Sequence, residues 1–174
     1  MLGKPIGVGV ISAALKKGRL DDAGYKAMIA ATTKLNTPGP KLGKLDAVHA
    51  LTDVTGFGLL GHLLEIAKGS RIGAKLQWDA IPILPHALEF ASEGIATGAS
   101  ARNWSGYGDR VKLAANVNDA QKALLTDPQT SGGLLVACAP EAVAEVLAIF
   151  RSEGFDQAAV VGEMVAGAPE VQVA

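Results

Sequence analysis

An aspartate followed by a glycine-rich turn is the part of the sequence best suited to chemistry. Asp53 stands near the end of a predicted strand over residues 47–54, and residues 55–58 (Thr-Gly-Phe-Gly) lead into a predicted helix over residues 59–68. A carboxylate beside the free N–H groups of a helix start can hold Mg²⁺ while the phosphates bridged by the metal meet those donors. The same residues also have a structural interpretation, in which Asp53 or Thr55 caps the helix by accepting from its free amides. The spacing leaves both interpretations open.

A dinucleotide-binding site is a less favoured alternative for this segment. Gly56, Gly58 and Gly61 match the pattern G-x-G-x-x-G between a strand and a helix, and Asp79 follows at about 20 residues, the distance of a ribose-binding acid. However, a carboxylate at Asp53 would repel a pyrophosphate unless a cation lay between them. No second strand-helix-strand half follows cleanly.

Two other segments carry polar groups. Residues 127–133 (Asp-Pro-Gln-Thr-Ser-Gly-Gly) predict a turn, and their hydroxyls and amides could also hold an oxyanion. Residues 97–109 are rich in Gly and Ser and predict an irregular surface loop that carries Arg102 and Asn103. Both segments are candidates for the margin of a site.

The histidines and the cysteine are assigned no catalytic role. His49, His62 and His86 lack the spacing of metal ligands. Cys138 is the single cysteine, which excludes an intrachain disulfide and a multi-thiolate zinc site. Its apolar surroundings predict a small buried hydrophobic residue and not an activated thiolate.

The elements that must position these residues alternate between strand and helix. Strands are predicted over residues 5–12, 47–54, 72–78, 134–138, 158–164 and 170–173, and helices over residues 13–17, 22–35, 59–68, 83–92, 118–125 and 140–151. This order predicts an α/β fold of the α+β type, with a mixed β-sheet layered with helices. At 174 residues and 49% hydrophobic content, the chain is expected to form a single domain over residues 1–174.

The charge balance bears on the partners. With 16 basic and 17 acidic residues, the net charge is -1, which argues against nucleic acid or an anionic membrane as a partner. No apolar run approaches the roughly 20 residues that span a bilayer, and no leader pattern is evident. These features, together with the single cysteine, predict a cytoplasmic protein.

Two long motifs resemble those of a known enzyme family. Residues 51–62 (LTDVTGFGLLGH) and 127–135 (DPQTSGGLL) closely resemble segments of selenophosphate synthetase (selenide, water dikinase), a member of the aminoimidazole ribonucleotide synthetase-like superfamily. Residues 4–9 (KPIGVG) and the pair Arg102-Asn103 also resemble that family. The resemblance covers essentially the whole chain but only the second half of the family protein.

The resemblance implies a function that this chain would share with another domain. The family converts selenide, ATP and water into selenophosphate, AMP and phosphate, and it forms homodimers. Its N-terminal ATP-binding domain provides most of the binding site for Mg²⁺ and ATP, and it carries the Cys or selenocysteine nucleophile. Cys138 does not correspond to this nucleophile. The isolated chain is therefore expected to be inactive. A non-catalytic binding or regulatory module of the same fold is the alternative.

The resemblance also assigns site residues. In the family motif, the aspartate at Asp53 reaches the Mg²⁺ that is bound with the ATP phosphates, so the resemblance favours a metal ligand over an N-cap. Thr52, Gly56, Gly58 and Asn103 are expected near the nucleotide.

Overall fold

The computed structural model describes residues 1–174, which form eight α-helices and six β-strands. The helices are α1 (Val8–Lys16), α2 (Asp22–Thr33), α3 (Gly39–Leu42), α4 (Gly58–Ser70), α5 (Ala87–Ser92), α6 (Gly98–Tyr107), α7 (Asp119–Leu125) and α8 (Val143–Ser152). The strands are β1 (Val48–Asp53), β2 (Gly73–Leu76), β3 (Val111–Leu113), β4 (Leu134–Cys138), β5 (Gly162–Val165) and β6 (Val171–Val173). The longest helix, α4, has 13 residues, and none of the helices could cross a membrane.

The strands form two sheets. Strands β1 and β4 pair antiparallel, with Asp53 opposite Leu134. The other sheet has the order β3-β6-β2-β5, in which β6 is parallel to both β2 and β3, and β5 is antiparallel to β2. The prediction of a mixed sheet layered with helices is confirmed, although the strands are divided between two sheets.

Helices cover both faces of the β1–β4 pair. Leu135 of β4 belongs to the larger hydrophobic cluster, which also contains five residues of α4. Its neighbours Leu134 and Val136 belong to a smaller cluster with Val146 and Phe150 of α8. Successive side chains of a strand point to opposite faces, so β4 is buried between the two clusters.

The predicted strand over residues 5–12 is wrong, because α1 begins at Val8. The β-branched residues Val8, Val10 and Ile11 suggest a strand by composition, but they recur with Ala14 at helical spacing and are all buried. Gly7 precedes the helix with φ +114°, a conformation that suits glycine.

The predicted loop over residues 97–109 is also wrong, since most of it forms α6. Thr97 caps this helix by accepting a hydrogen bond from the Ser100 N–H at 3.2 Å. Gly and Ser have low helix propensity, which concealed the helix in the sequence. The packing of α6 against α4 and α7 compensates for that composition.

Candidate functional site

Asp53 ends β1 with its side chain exposed to solvent. Its carboxylate forms no hydrogen bond and no ion pair within the chain. The N-cap interpretation is wrong, because α4 begins at Gly58 with Phe57 at the cap position and no side chain caps it. The Thr55 hydroxyl is instead 3.0 Å from Nε2 of His62. The Asp53 carboxylate is therefore free to bind a group from outside the chain.

Residues 53–58, here called the Asp53 turn, are held by the second sequence motif. The Val54 N–H donates to Gly133 O at 2.9 Å, and the Gln129 N–H donates to Thr55 O at 2.9 Å. A Cβ atom on Gly132 would lie 2.1 Å from Val54 O, so the close approach of the two segments requires glycine there. The two motifs recognised in the sequence thus pack directly against each other.

Helix α6 holds the other side of the Asp53 turn. Nδ2 of Asn103 donates to Gly56 O at 2.8 Å and to Thr126 O at 3.0 Å. The Tyr107 hydroxyl donates to Phe57 O at 2.6 Å, and burial raises the pKa of this phenol, which keeps it protonated as a donor. The observed role of the Asn103 amide is to position the turn, and its predicted contact with nucleotide stays a prediction.

Removal of the Asn103 amide should loosen the turn. We expect Asn103→Ala to lower the free energy of unfolding by about 1–3 kcal/mol, because two backbone carbonyls lose their side-chain donor. Urea unfolding measures the change. The control is Asn116→Ala, at an exposed asparagine without side-chain hydrogen bonds, which should stay within about 0.5 kcal/mol. Equal effects of the two substitutions would contradict the assigned role.

The two glycines of the turn have different roles. Gly58 has φ +72°, and a Cβ there would lie 2.7 Å from the carbonyl carbon of Thr126. Gly56 is exposed, and a Cβ there would meet no atom within 4 Å. The structure therefore requires glycine at position 58, whereas the surface at Gly56 is open to an approaching group.

This difference gives a paired prediction. Gly58→Ala should lower the free energy of unfolding by at least about 1–2 kcal/mol through backbone strain and steric overlap. Gly56→Ala should change it by less than about 0.5 kcal/mol. Thermal or urea unfolding of the two variants measures both changes. A large loss of stability in Gly56→Ala would contradict the open surface at Gly56.

His62 connects the turn to a surface carboxylate, which the sequence analysis missed. Its Nδ1 lies 2.8 Å from Oε2 of Glu65, and its Nε2 contacts Thr55. The carboxylate accepts from Nδ1–H, so Nε2 of a neutral ring accepts from the Thr55 hydroxyl. The sequence signal was the i, i+3 spacing of His62 and Glu65 on one helix. This chain of hydrogen bonds fixes Thr55 and keeps it from capping α4.

Residues 127–133 also cap a distant helix. Asp127 Oδ2 accepts from the Gly9 N–H at 2.8 Å, and Gln129 Oε1 accepts from the N–H groups of Gly7 and Val8 at 3.2 Å. These acceptors satisfy the start of α1, where free amides are otherwise unpaired. Asp127 is buried, its Oδ1 has no hydrogen-bond partner, and burial raises its pKa to about 7.

Lys4 is a second buried group that sequence reasoning missed. Its ammonium donates to the carbonyls of Lys34 and Ser131, each at 2.6 Å, and lies 3.3 Å from Ala31 O. Burial lowers its pKa, and the nearby Lys34 lowers it further. Lys4 thereby ties the end of α2 to the 127–133 segment.

The remaining predicted residues lie around the turn without forming a complete metal site. Thr52 precedes Asp53 in β1, so their side chains point to opposite faces. Arg102 is exposed on α6 and forms no ion pair. No group of three or more His, Cys, Asp and Glu side chains in the chain could hold a metal ion.

The glycine motif does not lie in the parallel strand-helix-strand unit of a dinucleotide-binding fold. Strand β1, before the glycines, and strand β2, after α4, belong to different sheets. Asp79 lies in a short 3₁₀ turn, Trp78–Ala80, and not at the end of a neighbouring parallel strand. The dinucleotide interpretation is wrong.

The fold and the family model agree on the class of protein. The family model "AIR synthase related protein, C-terminal domain" matches residues 1–174, and the chain belongs to this family. Among solved structures, E. coli HypE has a TM-score of 0.69 at 22% identity, covering 99% of this chain and 45% of that protein. Thiamine-monophosphate kinase from Stenotrophomonas maltophilia has a TM-score of 0.64 at 18% identity, covering 99% and 48%. At 22% and 18% identity, the similarity of these two structures to this chain shows a common fold and no more.

The curated relatives are more specific. The selenide, water dikinase of Pseudomonas straminea is 62% identical over 173 residues, covering 99% of this chain and 48% of the relative. The selenide, water dikinase of Rhizobium meliloti is 50% identical over 173 residues, covering 99% and 50%. The resemblance found in the sequence is confirmed, and the chain spans about half the length of these relatives.

Proposed function

We propose that this chain is the C-terminal domain of a selenide, water dikinase, which makes selenophosphate from selenide, ATP and water and releases AMP and phosphate. The observation that carries the proposal is the 62% identity to the Pseudomonas straminea enzyme across 99% of the chain. The proposed partner is an N-terminal ATP-binding domain in the same cytoplasmic, homodimeric protein. Substrates and cofactors are selenide, ATP and Mg²⁺.

The donor set at Asp53 fits a shared metal site. A single exposed carboxylate without a hydrogen bond can add one oxygen ligand to Mg²⁺, which commonly takes one or two carboxylates together with substrate phosphates. When bound, Mg²⁺ would offset the charge of the ATP phosphates and favour nucleophilic attack on them. The other ligands would come from the phosphates and the N-terminal half, in keeping with the lack of a three-ligand cluster in this chain.

The other residues of the turn would position Asp53 and admit the nucleotide. The hydrogen bonds of Asn103 and Tyr107 hold the Asp53 turn in one conformation. Asp53 would therefore lose little conformational entropy when the N-terminal and C-terminal halves of the enzyme close around the nucleotide. The open surface at Gly56 allows close approach of a phosphate-bearing group. The Oδ1 atom of Asn103 is the nearby polar group proposed to line the nucleotide. The Thr52 side chain points to the opposite face of β1 from Asp53, so its contact with the nucleotide stays a prediction.

A hybrid enzyme tests the proposal. The N-terminal half of the Pseudomonas straminea relative is joined to this chain at the matched boundary, and selenide-dependent AMP release from ATP is measured. We expect activity from the hybrid and none from this chain or the N-terminal half alone. A folded hybrid without activity would contradict the proposed function, and AMP release by the isolated chain would contradict the shared site.

A further inference from the structure

Ser131 has a backbone conformation that serine rarely adopts. Its φ is +51°, in the left-handed region, and the residue is exposed. The other two non-glycine residues with positive φ, Arg71 and His86, stand at the ends of helices. Ser131 instead lies in residues 129–133, here called the Ser131 loop, which lead into β4. Such strain persists only where the surrounding structure imposes it, and it is frequent at binding sites.

Two side chains hold the carbonyl groups of the Ser131 loop on one side. The buried Lys4 ammonium donates to Ser131 O at 2.6 Å, and it also donates to Lys34 O, just after α2, at 2.6 Å. Nδ2 of Asn36 donates to Gly132 O at 2.9 Å. Both carbonyls therefore point toward the segment that follows α2.

The N–H groups of the Ser131 loop are left without acceptors. Those of Thr130, Ser131 and Gly132 donate to no backbone or side-chain atom of the chain. In a trans peptide the N–H points away from the carbonyl of the preceding residue, so the Gly132 N–H points away from Lys4. Gly132 is buried, and an unpaired N–H at a buried residue is rare unless water or a bound group pairs with it.

The free donors and the charge of the Ser131 loop suit an anion. Successive N–H groups around a left-handed residue form a concave surface that binds anions. The exposed Thr130 hydroxyl forms no hydrogen bond in the chain and is a further free donor in the loop. The Lys4 ammonium forms no ion pair, because its partners are carbonyl oxygens. Its positive charge behind the loop is therefore not neutralised within the chain.

The position of the Ser131 loop beside the Asp53 turn narrows the kind of anion. The Gln129 N–H donates to Thr55 O at 2.9 Å, so the free N–H groups begin at the residue after this contact. An anion here would be repelled by the Asp53 carboxylate unless a cation lay between them. A phosphate group meets this condition, because it is a common ligand of Mg²⁺ together with carboxylates.

We propose that the backbone N–H groups of residues 130–132 bind a phosphate group beside the Asp53 turn. The reaction proposed above offers two sources of this chemistry, a phosphate of the nucleotide and the free phosphate that is released. The choice between these sources rests on the proposed function. The binding of phosphate by the loop rests on the geometry of this chain alone.

An NMR titration of this chain with inorganic phosphate tests the binding. Sodium chloride holds the ionic strength constant, so that screening does not change during the titration. We expect the amide resonances of Thr130, Ser131 and Gly132 to shift and to saturate at millimolar phosphate. The amide of Ala139, which donates to Ala47 O at 2.9 Å, should not shift. Shifts that do not saturate, or that saturate only elsewhere in the chain, would overturn the proposal.

Substitutions in the loop locate the binding. Ser131→Pro removes one N–H and cannot adopt φ +51°, so it should weaken phosphate binding at least about tenfold. Ser131→Gly keeps the N–H and adopts positive φ freely, so it should bind phosphate as tightly as the unsubstituted chain. The matched control is Ala115→Pro, which removes a free N–H in the exposed turn between β3 and α7 and should leave the titration unchanged.

Thr130→Val tests the loop without altering its backbone. Loss of the hydroxyl donor should weaken phosphate binding about 2–10-fold. Equal phosphate affinity in the unsubstituted chain, Ser131→Pro and Thr130→Val would overturn the proposal.

The hybrid enzyme distinguishes the two sources of phosphate. If the loop binds a phosphate of the nucleotide, Thr130→Val should raise the KM for ATP about 2–10-fold with little change in kcat. If it binds the free phosphate, the same substitution should instead raise the inhibition constant of added phosphate. An active hybrid in which neither constant changes would overturn the proposal. The titration of the chain requires no turnover, so its outcome is separate from that of the proposed function.

Discussion

Asp53→Asn in the hybrid enzyme should reduce Mg²⁺-dependent ATP turnover on the order of 100-fold, equivalent to about 2.7 kcal/mol of transition-state stabilisation. The substitution removes the anionic ligand while keeping the size of the side chain. Because the carboxylate is exposed and forms no hydrogen bond in the chain, the free energy of unfolding should change by less than about 0.5 kcal/mol. The measurement is steady-state AMP release as a function of Mg²⁺ concentration.

Asp46→Asn is the matched control for this prediction. Asp46 is an exposed aspartate that precedes β1, at the opposite end of the strand from Asp53, so its substitution removes the same charge away from the turn. The control should turn over ATP at the rate of the unsubstituted hybrid. If Asp53→Asn retained that rate as well, Asp53 would not be a metal ligand.

The second large effect concerns the buried Asp127, whose folded-state pKa lies at about 7 against an ordinary value of 3.8. Burial disfavours the carboxylate and outweighs the hydrogen bonds from Gly9 and Gln129. The folded state therefore binds more protons than the unfolded state between these two pKa values. The contribution of Asp127 to stability is complete below about pH 4 and is lost as the pH rises to about 7.

At about 1.4 kcal/mol for each pKa unit, this loss amounts to about 4 kcal/mol at most. An asparagine side chain cannot ionise, so in Asp127→Asn this part of the pH dependence should vanish. Urea unfolding of both proteins at about pH 5 and about pH 8, on either side of the folded-state pKa, measures the part of this loss that falls between these two pH values, about 3 kcal/mol. Subtracting the pH dependence of the free energy of unfolding of Asp127→Asn from that of the unsubstituted protein removes the contribution of all other groups. Parallel pH profiles would show that Asp127 does not titrate in this range.

The elements that carry the site were predictable where the local sequence signal was strong. Strand β1 was predicted as a short β-like run that ends at a glycine-rich turn, and helix α4 was predicted from the helical spacing of Leu60, Leu63 and Leu64. The motif around Asp53 identified the site by resemblance. Its exposed, unpaired carboxylate became visible only in three dimensions.

Other parts of the site depend on contacts between residues distant in sequence. The start of helix α1 is capped by Asp127 and Gln129, which lie more than 100 residues away in the sequence. Because no capping residue precedes Val8 locally, only its β-branched neighbours were visible in the sequence, and they suggested a strand. Asn103 joins two carbonyls from separate segments while lying in a helix that its Gly-rich and Ser-rich sequence concealed. Hydrogen bonds between residues so distant in the sequence produce no local periodicity from which they could be predicted.

Asp53 is proposed to complete a metal-nucleotide site shared between two halves of an enzyme. The most direct measurement is the affinity of the hybrid enzyme for Mn²⁺, used as a paramagnetic substitute for Mg²⁺, in the presence of a non-hydrolysable ATP analogue. We predict that Asp53→Asn weakens Mn²⁺ binding by about 10–100-fold, whereas Asp46→Asn leaves it unchanged. An equal Mn²⁺ dissociation constant for the unsubstituted hybrid and both variants would contradict the shared metal site.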